Sequence, residues 1–338
     1  MSDELLEKLI SQAFSTTAKR IVFAFQGGEP TVAGLSFFRR FIELERLYKP
    51  DDITVEHTIQ TNGILIDEDW ADFFRENSFL VGLSMDGNIS LHNANRIHID
   101  GTDTFKQVSG VFRLLQRRSV NTNILCVVTG QLARKAQSVY QGLKKTGCRY
   151  LQFIPCLDPP NAERGKQFFS LTPQRYATFL KTLFDNWYSD WEQKDYISVR
   201  VFDDYVRVLS GAPPGSCASS GVCGQYIVVE SDGSVYPCDF YTYDEWYIGN
   251  ISDCSLSDLI DSSTARAFLQ ESTTQPSECI ECKYYYVCRG GCKRDRFVHD
   301  GQLHNYYCPS FLDFFDYSID RLEIIASMER KIRSLHYR

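Results

Sequence analysis

Eight of the twelve cysteines in this 338-residue chain form a spaced block between residues 217 and 308. Eight thiolates are enough for two sites of four ligands each, and both structural zinc and iron–sulfur clusters take four thiolates. Disulfides are a third interpretation, although clustered cysteines in a reducing compartment more often bind metal. The spacing therefore predicts two metal sites and leaves the metal open. The block runs Cys217-x5-Cys223-x14-Cys238 and then Cys279-x2-Cys282-x5-Cys288-x3-Cys292-x15-Cys308.

The other four cysteines have no ligand-like spacing. A lone cysteine is commonly buried as a small apolar side chain. We therefore expect a packing role, and no metal, for Cys126, Cys148, Cys156 and Cys254.

Composition and charge exclude several classes of protein. The chain has 36 Lys and Arg against 43 Asp and Glu, a formal net charge of −7, which disfavours a general nucleic-acid binder. No apolar run approaches the roughly 18 residues of a membrane span. The first ten residues, MSDELLEKLI, lack the basic start and apolar core of a signal peptide. We expect a cytoplasmic protein without a nucleic-acid or membrane partner.

The first two thirds of the sequence alternate between helical and extended patterns. An amphipathic helix is predicted over 2–18, and five apolar runs of strand type follow, each succeeded by a helical pattern. Such alternation is typical of a parallel sheet with right-handed crossovers. The predicted strands are 21–25, 53–60, 79–85, 121–129 and 150–155, and the predicted helices are 35–48, 67–76, 104–117, 132–145 and 173–193.

Polar and glycine-rich segments follow most of these strands. In parallel sheets and barrels, ligands bind at the carboxyl ends of the strands. The sequence therefore predicts a binding site at one edge of the sheet. The segments are QGGEP (26–30), QTNG (60–63), SMDG (84–87) and Pro155-Cys156.

The sequence changes character near residue 212, where a Pro-, Gly- and Ser-rich loop begins. The runs YIVVE (226–230) and SVYPC (234–238), joined by a Ser-Asp-Gly turn, predict a β-hairpin. A cysteine-dense region follows, and 310–335 has the apolar spacing of one amphipathic helix. We therefore predict three parts, with boundaries at 1–211, 212–309 and 310–338.

These motifs resemble a known family. Gly27-Gly28-Glu29-Pro30 resembles the GGEP motif of radical S-adenosylmethionine (SAM) enzymes, and the eight-cysteine block is similar to the SPASM domain, which holds two auxiliary 4Fe–4S clusters. Gln26 before GGEP, Ser84 with Arg96, and Cys238-Asp239 together resemble the anaerobic sulfatase-maturating enzymes. The resemblance extends over essentially the whole chain.

The resemblance implies an α/β fold: a partial (β/α)6 radical SAM barrel that lacks its first strand, then a SPASM domain with two auxiliary clusters, then a C-terminal helix. It also implies a SAM site. Gly27, Gly28 and Glu29 would bind the amino end of SAM, Ser84 and Arg96 its ribose and carboxylate region, and the backbone near Leu157 its adenine.

The implied reaction is the oxidation of a Cys or Ser side chain in a sulfatase polypeptide to formylglycine. In the family, a 5′-deoxyadenosyl radical removes a hydrogen from the substrate Cβ, a base takes a proton, and an electron leaves through the auxiliary clusters. Asp239 would be the base, and Gln26 would contact the substrate. The implied ligands are Cys217, Cys223, Cys238 and Cys292 for auxiliary cluster I, and Cys279, Cys282, Cys288 and Cys308 for auxiliary cluster II.

The implied partners are an unfolded sulfatase polypeptide and an external electron donor or acceptor such as ferredoxin or flavodoxin. The family also holds a third cluster, which binds SAM, through a CxxxCxxC motif in the loop after the first strand. The printed sequence has no CxxxCxxC, and it opens with a helix. We expect a truncated chain whose missing strand and motif lie before Met1, and which does not cleave SAM as printed.

Several residues also have simpler interpretations. Asp239 and Asp86-Gly87 suit turns, Glu29 suits a helix start, and Arg96 suits a solvated surface. Two alternative functions stay open. The chain could be another SPASM-type radical SAM peptide-modifying enzyme, or a non-catalytic metal-bound module that binds peptides or passes electrons. An aspartate directly after the third cysteine of the block favours sulfatase maturation.

Overall fold

The computed structural model describes residues 1–160, 162–224 and 226–336. Strands and helices alternate in the first two thirds, and short elements follow before one long final helix. The strands are β1 (Arg20–Phe25), β2 (Thr54–Thr61), β3 (Leu80–Ser84), β4 (Asn121–Val128), β5 (Tyr150–Pro155), β6 (Ser198–Val199), β7 (Val228–Val229), β8 (Ser234–Tyr236), β9 (Gly249–Asn250), β10 (Arg296–His299) and β11 (Gln302–Asn305). The α-helices are α1 (Asp3–Phe14), α2 (Leu35–Tyr48), α3 (Glu68–Glu76), α4 (Ile89–Asn93), α5 (Phe105–Arg117), α6 (Gly130–Ala133), α7 (Ala136–Lys144), α8 (Pro173–Glu192), α9 (Arg200–Leu209), α10 (Cys217–Ser220), α11 (Leu256–Ile260), α12 (Ser263–Ser272), α13 (Tyr285–Cys288) and α14 (Cys308–His336).

Strands β1 to β6 form one sheet in which the spatial order equals the chain order. The pairs β1–β2, β4–β5 and β5–β6 are parallel, with Arg20 opposite Thr54 and Tyr150 opposite Ser198. Helices connect successive strands, which is the arrangement a parallel sheet requires. The predicted α/β class is confirmed; among the described strands the order runs from β1 to β6 without closing into a barrel.

The sixth strand was not predicted. Strand β6 has only two residues, Ser198 and Val199, and so short a segment produces no period-two pattern. The helix predicted over 132–145 is also wrong in part, because α6 and α7 are separate helices. Lys135 lies between them with φ −123° and ψ 27°, outside the helical region.

The first helix is shorter than the predicted range 2–18 and ends at Phe14. The hydroxyls of Ser15 and Thr16 donate to main-chain carbonyls of the last turn. Such local side-chain bonds compete with continued helix formation. The final helix, predicted over 310–335, starts two residues earlier at Cys308, so a cysteine of the spaced block opens it.

The predicted hairpin is confirmed with shorter strands, because β7 and β8 pair antiparallel. Strand β9, which was not predicted, adds to the other side of β8. In the described part of the chain, no helix has the length and apolar character needed to cross a membrane.

The chain divides into two compact units. The first contains residues 1–82, 113–121 and 223–274, and the second contains 83–112, 122–222 and the chain from 275 onward. The predicted three-part division stays a prediction.

In the first unit, α1 and β1 pack against the segment that contains β8, β9 and α11. Their buried side chains form one apolar cluster, and partly buried Ile21 and Phe23 of β1 lie against it. This packing fixes the end of β1 relative to the β7–β8 hairpin. The buried members are Ala13, Val235, Ile251, Leu256 and Leu259.

In the second unit, the core lies where α8, α9 and α14 meet. The rings of Phe184, Phe202 and Phe314 are mutually 5.3–5.7 Å apart by centroid, and all three are buried. The indole N–H of Trp187 donates to the carbonyl of Ile197 at 2.9 Å. The ring contacts of Phe314 hold α14, which carries Cys308, against α8 and α9.

Candidate active site and cluster centre

The loop after β1 turns through two glycines. Gly27 has φ 90° and Gly28 has φ 53°, both in the left-handed region that other residues rarely adopt. Among the described residues, no atom beyond the chain neighbours lies within 4 Å of a Cβ built on either glycine. A ligand can therefore approach this main chain closely, as the predicted contact with the amino end of SAM requires.

Glu29 joins the end of β1 to the end of β2. One of its carboxylate oxygens, Oε1, accepts the Thr61 hydroxyl at 2.7 Å, and the other, Oε2, accepts the Asn62 N–H at 2.7 Å. Oε1 also accepts the N–H and hydroxyl of Thr31 at 3.1 and 2.6 Å. Glu29 thus does more than start a helix. In the part of the chain that the structure describes, Oε2 accepts from Asn62 alone and keeps a second lone pair, which could accept a hydrogen bond from the ammonium group of a ligand.

Arg96 pairs with a carboxylate at the carboxyl end of β3. Its Nε donates to Asp86 Oδ2 at 2.6 Å, and the Val127 N–H donates to Asp86 Oδ1 at 2.8 Å. Asp86 is 4% exposed and the Arg96 side chain 25%. The sequence around Asp86 suits a turn, but its carboxylate also holds Arg96 in place. The only sequence signal for this role was the position of Asp86 in the polar SMDG segment after a predicted strand.

His92 completes the polar group around Asp86. Its Nδ1 accepts the Asp86 N–H at 3.2 Å, so its Nε2 carries the hydrogen and donates to Thr104 Oγ1 at 3.0 Å. Burial, with a smaller contribution from the Arg96 charge, lowers the pKa of His92 to about 4. The histidine is therefore neutral at neutral pH.

This neutral histidine predicts a pH-dependent stability. Because its folded pKa of about 4 lies below the usual 6.5, the unfolded chain takes up the proton first, and stability falls as the pH drops from 6.5 towards 4. We expect His92 to account for about 1 kcal/mol of loss between pH 7 and pH 5.5. Urea unfolding at both pH values should show a correspondingly smaller loss in His92→Gln; an equal loss in both proteins would refute the assignment.

The other predicted SAM contacts lie at strand ends. Ser84 is the last residue of β3 and is half-buried. Leu157 follows β5 by two positions and is 41% exposed. Both positions suit ligand contact at the carboxyl ends of strands, and the assignment of each to a part of SAM stays a prediction.

Two predicted site residues, 213 positions apart in the chain, are in contact. The amide Nε2 of Gln26, directly after β1, donates to Asp239 Oδ2 at 2.7 Å. The apolar cluster of the first unit explains the contact, because it packs β1 and the hairpin before Asp239 together. The carboxylate therefore lies at the carboxyl end of β1, beside the GGEP segment.

A residue that the sequence did not single out completes this group. The Tyr226 hydroxyl donates to Asp239 Oδ1 at 2.6 Å and lies 3.1 Å from Cys238 Sγ. Tyr226 is 44% exposed as a residue, but partial desolvation of its hydroxyl, together with the hydrogen bond to Asp239, raises the pKa of Tyr226 above its usual value, so the hydroxyl keeps its proton. The sequence offered no signal for it beyond a place in the first run of the predicted hairpin.

Four predicted ligands border one cavity in the second unit. The cavity lies between the segment around α13 and the start of α14, and its wall includes the buried Asn305. Asn305 Nδ2 donates to the Gly290 carbonyl at 3.0 Å, and its Oδ1 accepts the Tyr307 N–H at 2.8 Å, which joins the two segments. The cysteines are Cys279, Cys282, Cys288 and Cys308.

This donor set fits an iron–sulfur cluster. Four thiols around a cavity, rather than around a point, suit a group larger than one ion. Among the described residues, no three His, Cys, Asp or Glu side chains converge to hold a single metal ion. Burial is the main cause that raises the pKa of Cys279 to about 11 and those of Cys288 and Cys308 to about 12. The thiols therefore release protons when they bind metal.

The other predicted set is divided between the two units, with Cys223 and Cys238 in the first and Cys217 and Cys292 in the second. Burial raises the pKa of Cys292 to about 12, and the Cys217 sulfur contributes a smaller part. The Cys223 N–H donates to the Ser272 hydroxyl at 2.9 Å. The set stays a prediction.

Cys217 starts a one-turn helix that the sequence did not suggest. The hydroxyls flanking it, on Ser216 and Ser219, form a capping box and both donate to Asp204 Oδ2, at 2.8 and 3.2 Å. Asp204 therefore ties the loop that carries Cys217 to α9. The sequence does not show that Asp204 contacts this loop, because the contact depends on how α9 packs.

The lone cysteines are only partly as expected. Cys126 and Cys148 are buried, at 1% and 2% exposure, which confirms the packing interpretation. Cys156 is half-buried, and Cys254 is exposed. The burial expected for Cys254 is wrong because it lies in the tight turn after β9.

Comparison with known proteins agrees with this architecture. Residues 217–283 match the SPASM family, an iron–sulfur cluster-binding domain. The chain is 44% identical over 97% of its length to the cysteine-type anaerobic sulfatase-maturating enzyme of Clostridium perfringens, covering 89% of that protein. It is 32% identical over 94% of its length to the serine-type enzyme of Bacteroides thetaiotaomicron, covering 80% of that protein.

A solved structure is similar over nearly the whole chain. Native anSMEcpe with bound AdoMet and the Kp18Cys peptide superimposes with a TM-score of 0.94 at 44% identity, covering 97% of this chain and 91% of that one. The α/β sheet, the GGEP loop and the cysteine block thus define a radical SAM oxidoreductase with a SPASM iron–sulfur domain, whose cofactors are SAM and 4Fe–4S clusters. The chain belongs to the family of anaerobic sulfatase-maturating enzymes.

Proposed function

We propose that the protein oxidises a cysteine side chain in a sulfatase polypeptide to formylglycine, with Asp239 as the proton acceptor. The contact between Gln26 and Asp239 at 2.7 Å carries the proposal, because it places a carboxylate at the carboxyl end of β1 beside the GGEP loop. The greater identity to the cysteine-type relative, 44% against 32% for the serine-type one, favours cysteine over serine.

When bound, SAM and its cluster supply the radical that takes a hydrogen atom from the substrate Cβ, and the auxiliary clusters take the electron. Removal of one hydrogen atom, one proton and one electron is a two-electron oxidation that leaves a thioaldehyde, and water then replaces the sulfur to give the formylglycine aldehyde with release of hydrogen sulfide. The chain's own residues must therefore bind the peptide, orient the side chain and receive the proton. Asp239 is suited to the last task because it is an aspartate next to the predicted cluster ligand Cys238.

The hydrogen bonds of Asp239 fix its carboxylate without filling it. Gln26 donates to Oδ2 and Tyr226 to Oδ1. Each oxygen has two lone pairs; Oδ1 also has the Cys238 sulfur 3.4 Å away, whereas Oδ2 has Gln26 as its one donor and keeps a lone pair that can accept a proton from the substrate. Two donors at the two oxygens also fix the plane of the carboxylate, as a positioned general base requires.

Gln26 has a second function in this proposal. Its amide nitrogen is used by Asp239, which turns the amide oxygen into an acceptor for a donor on the peptide. Gln26 is exposed, so a peptide can reach it. Side-chain recognition and proton removal therefore share one hydrogen-bonded pair.

The cysteines around the second unit's cavity suit electron transfer. We infer that cluster II, held by these four thiolates, passes electrons to an external protein carrier such as ferredoxin or flavodoxin. Cys282 and Cys288 are half-buried rather than fully enclosed, which keeps a cluster near the surface.

Peptide binding tests the proposal without requiring SAM cleavage. The chain is reconstituted anaerobically with iron and sulfide, supplied with SAM, and titrated with fluorescent sulfatase peptides that carry Cys or Ala at the target position. We expect about fivefold tighter binding of the Cys peptide, since its thiol can donate to the Gln26 amide oxygen and a hydrogen bond between neutral groups contributes about 1 kcal/mol. Gln26→Ala should remove this preference. Equal affinity of the wild-type chain for both peptides would contradict the proposal.

A further inference from the structure

We propose that Tyr226 is a positioning residue whose single hydroxyl binds both the proton acceptor Asp239 and the cluster-ligand sulfur of Cys238. This inference rests on the proposed function, because it takes Asp239 as the base and Cys238 as a ligand of auxiliary cluster I. Tyr226 thereby connects the group that receives the proton to the cluster that receives the electron.

The distances define the bridge. The hydroxyl oxygen is 2.6 Å from Asp239 Oδ1 and 3.1 Å from Cys238 Sγ. For a sulfur acceptor 3.1 Å is a close contact, since the larger sulfur atom normally makes longer hydrogen bonds than oxygen does. A phenol has one hydrogen, so the two neighbouring acceptors share it.

The backbone arrangement gives the hydroxyl its place. Tyr226 lies just before β7, and Cys238 and Asp239 lie just after β8, so the three residues meet at the open end of one hairpin. Strands β7 and β8 pair antiparallel, with Val228 opposite Tyr236. The register of the hairpin therefore sets the distance between the hydroxyl and its two acceptors.

The contact on the carboxylate orients the base. Gln26 donates to Oδ2 and Tyr226 to Oδ1, so loss of either donor allows the Asp239 carboxylate to rotate about its Cβ–Cγ bond. Gln26 comes from the end of β1, whereas Tyr226 comes from the same hairpin as Asp239. Tyr226 is therefore the local support and Gln26 the distant one.

The contact on sulfur affects the cluster. A hydrogen bond to a ligand sulfur withdraws electron density, and such bonds are among the factors that set iron–sulfur reduction potentials. A donor makes the reduced, more negative cluster easier to form. Tyr226 should therefore raise the reduction potential of auxiliary cluster I and make it a better electron acceptor. Cluster II has its own four ligands in the second unit and should not respond.

The test is a redox titration of the reconstituted chain, monitored by electron paramagnetic resonance, for wild type and Tyr226→Phe. At a fixed applied potential, we expect the reduced-to-oxidised ratio of one cluster to fall about tenfold in the variant, which corresponds to about 59 mV for a one-electron couple. The second cluster should titrate as in the wild type. Tyr247→Phe, which removes a hydroxyl at an exposed tyrosine of the same unit, should change neither cluster.

A second substitution guards against a Tyr226→Phe variant that fails to hold cluster I. With 3-fluorotyrosine at position 226, the hydroxyl is a stronger donor, and the same cluster should become easier to reduce. Unchanged potentials in both variants would overturn the inference, and so would equal shifts of both clusters.

The peptide titration separates this inference from the proposed function. If the potentials do not change but the Cys peptide still binds preferentially, only the role of Tyr226 fails. If the wild-type chain binds zinc and forms no iron–sulfur cluster, the proposed function fails first and the inference fails with it.

Discussion

Replacing Asp239 by asparagine is expected to stop formylglycine formation while peptide binding stays within about twofold. Asparagine has the same shape and keeps an acceptor oxygen, but it cannot take up the substrate proton. Loss of a positioned general base typically lowers a rate by about 10²–10⁴-fold. Mass spectrometry of a Cys peptide measures the product, and chromatography of 5′-deoxyadenosine measures SAM cleavage in the same samples.

The comparison requires a SAM-binding cluster. Because the printed sequence contains no CxxxCxxC, the wild-type and variant chains both carry an added N-terminal strand and loop with that motif. The matched control is Asp253→Asn, at an exposed aspartate of the same unit, which should keep full activity. We expect Asp239→Asn to form 5′-deoxyadenosine without formylglycine; product at the wild-type rate would exclude Asp239 as the base.

The second large effect is expected from Cys288→Ser. Cys288 borders the cavity with three other cysteines, and a serine hydroxyl is a far weaker ligand for iron than a thiolate. The reconstituted chain should fall from about eight to about four irons, since one of two 4Fe–4S clusters is lost. Because metal binding contributes directly to folding free energy, we also expect a lower melting temperature.

Cys254→Ser is the matched control for this change. Cys254 is exposed and lies outside the cavity lining, so its substitution should alter neither iron content nor melting temperature. An iron content unchanged in Cys288→Ser would show that the cavity is not a cluster site.

The fold class was predictable because its signals are local and repeated. The five longer strands of the sheet are apolar runs separated by helical patterns, and each was predicted within a few residues. Strand β6 was missed because two residues carry no periodicity. The break at Lys135 was missed because it depends on one backbone conformation rather than on composition.

The site was predictable only in part, because its residues come from distant parts of the chain. The GGEP segment and the cysteine spacing are visible along the chain, and the family resemblance based on them implied the roles of Gln26 and Glu29 and the two ligand sets. The contacts that make these residues work are tertiary. The hydrogen bond of Arg96 to Asp86 depends on how the strands pack, and that of Tyr226 to Asp239 depends on the hairpin. No local sequence pattern encodes either contact.

The most direct test of this account is the metal content of the chain after anaerobic purification and reconstitution. Iron, acid-labile sulfide and zinc are measured per chain. Two auxiliary 4Fe–4S clusters predict about eight irons and eight sulfides with little zinc. About two zinc ions with little sulfide would instead indicate two four-thiolate structural sites, and would contradict the assignment of these cysteines to electron-accepting clusters.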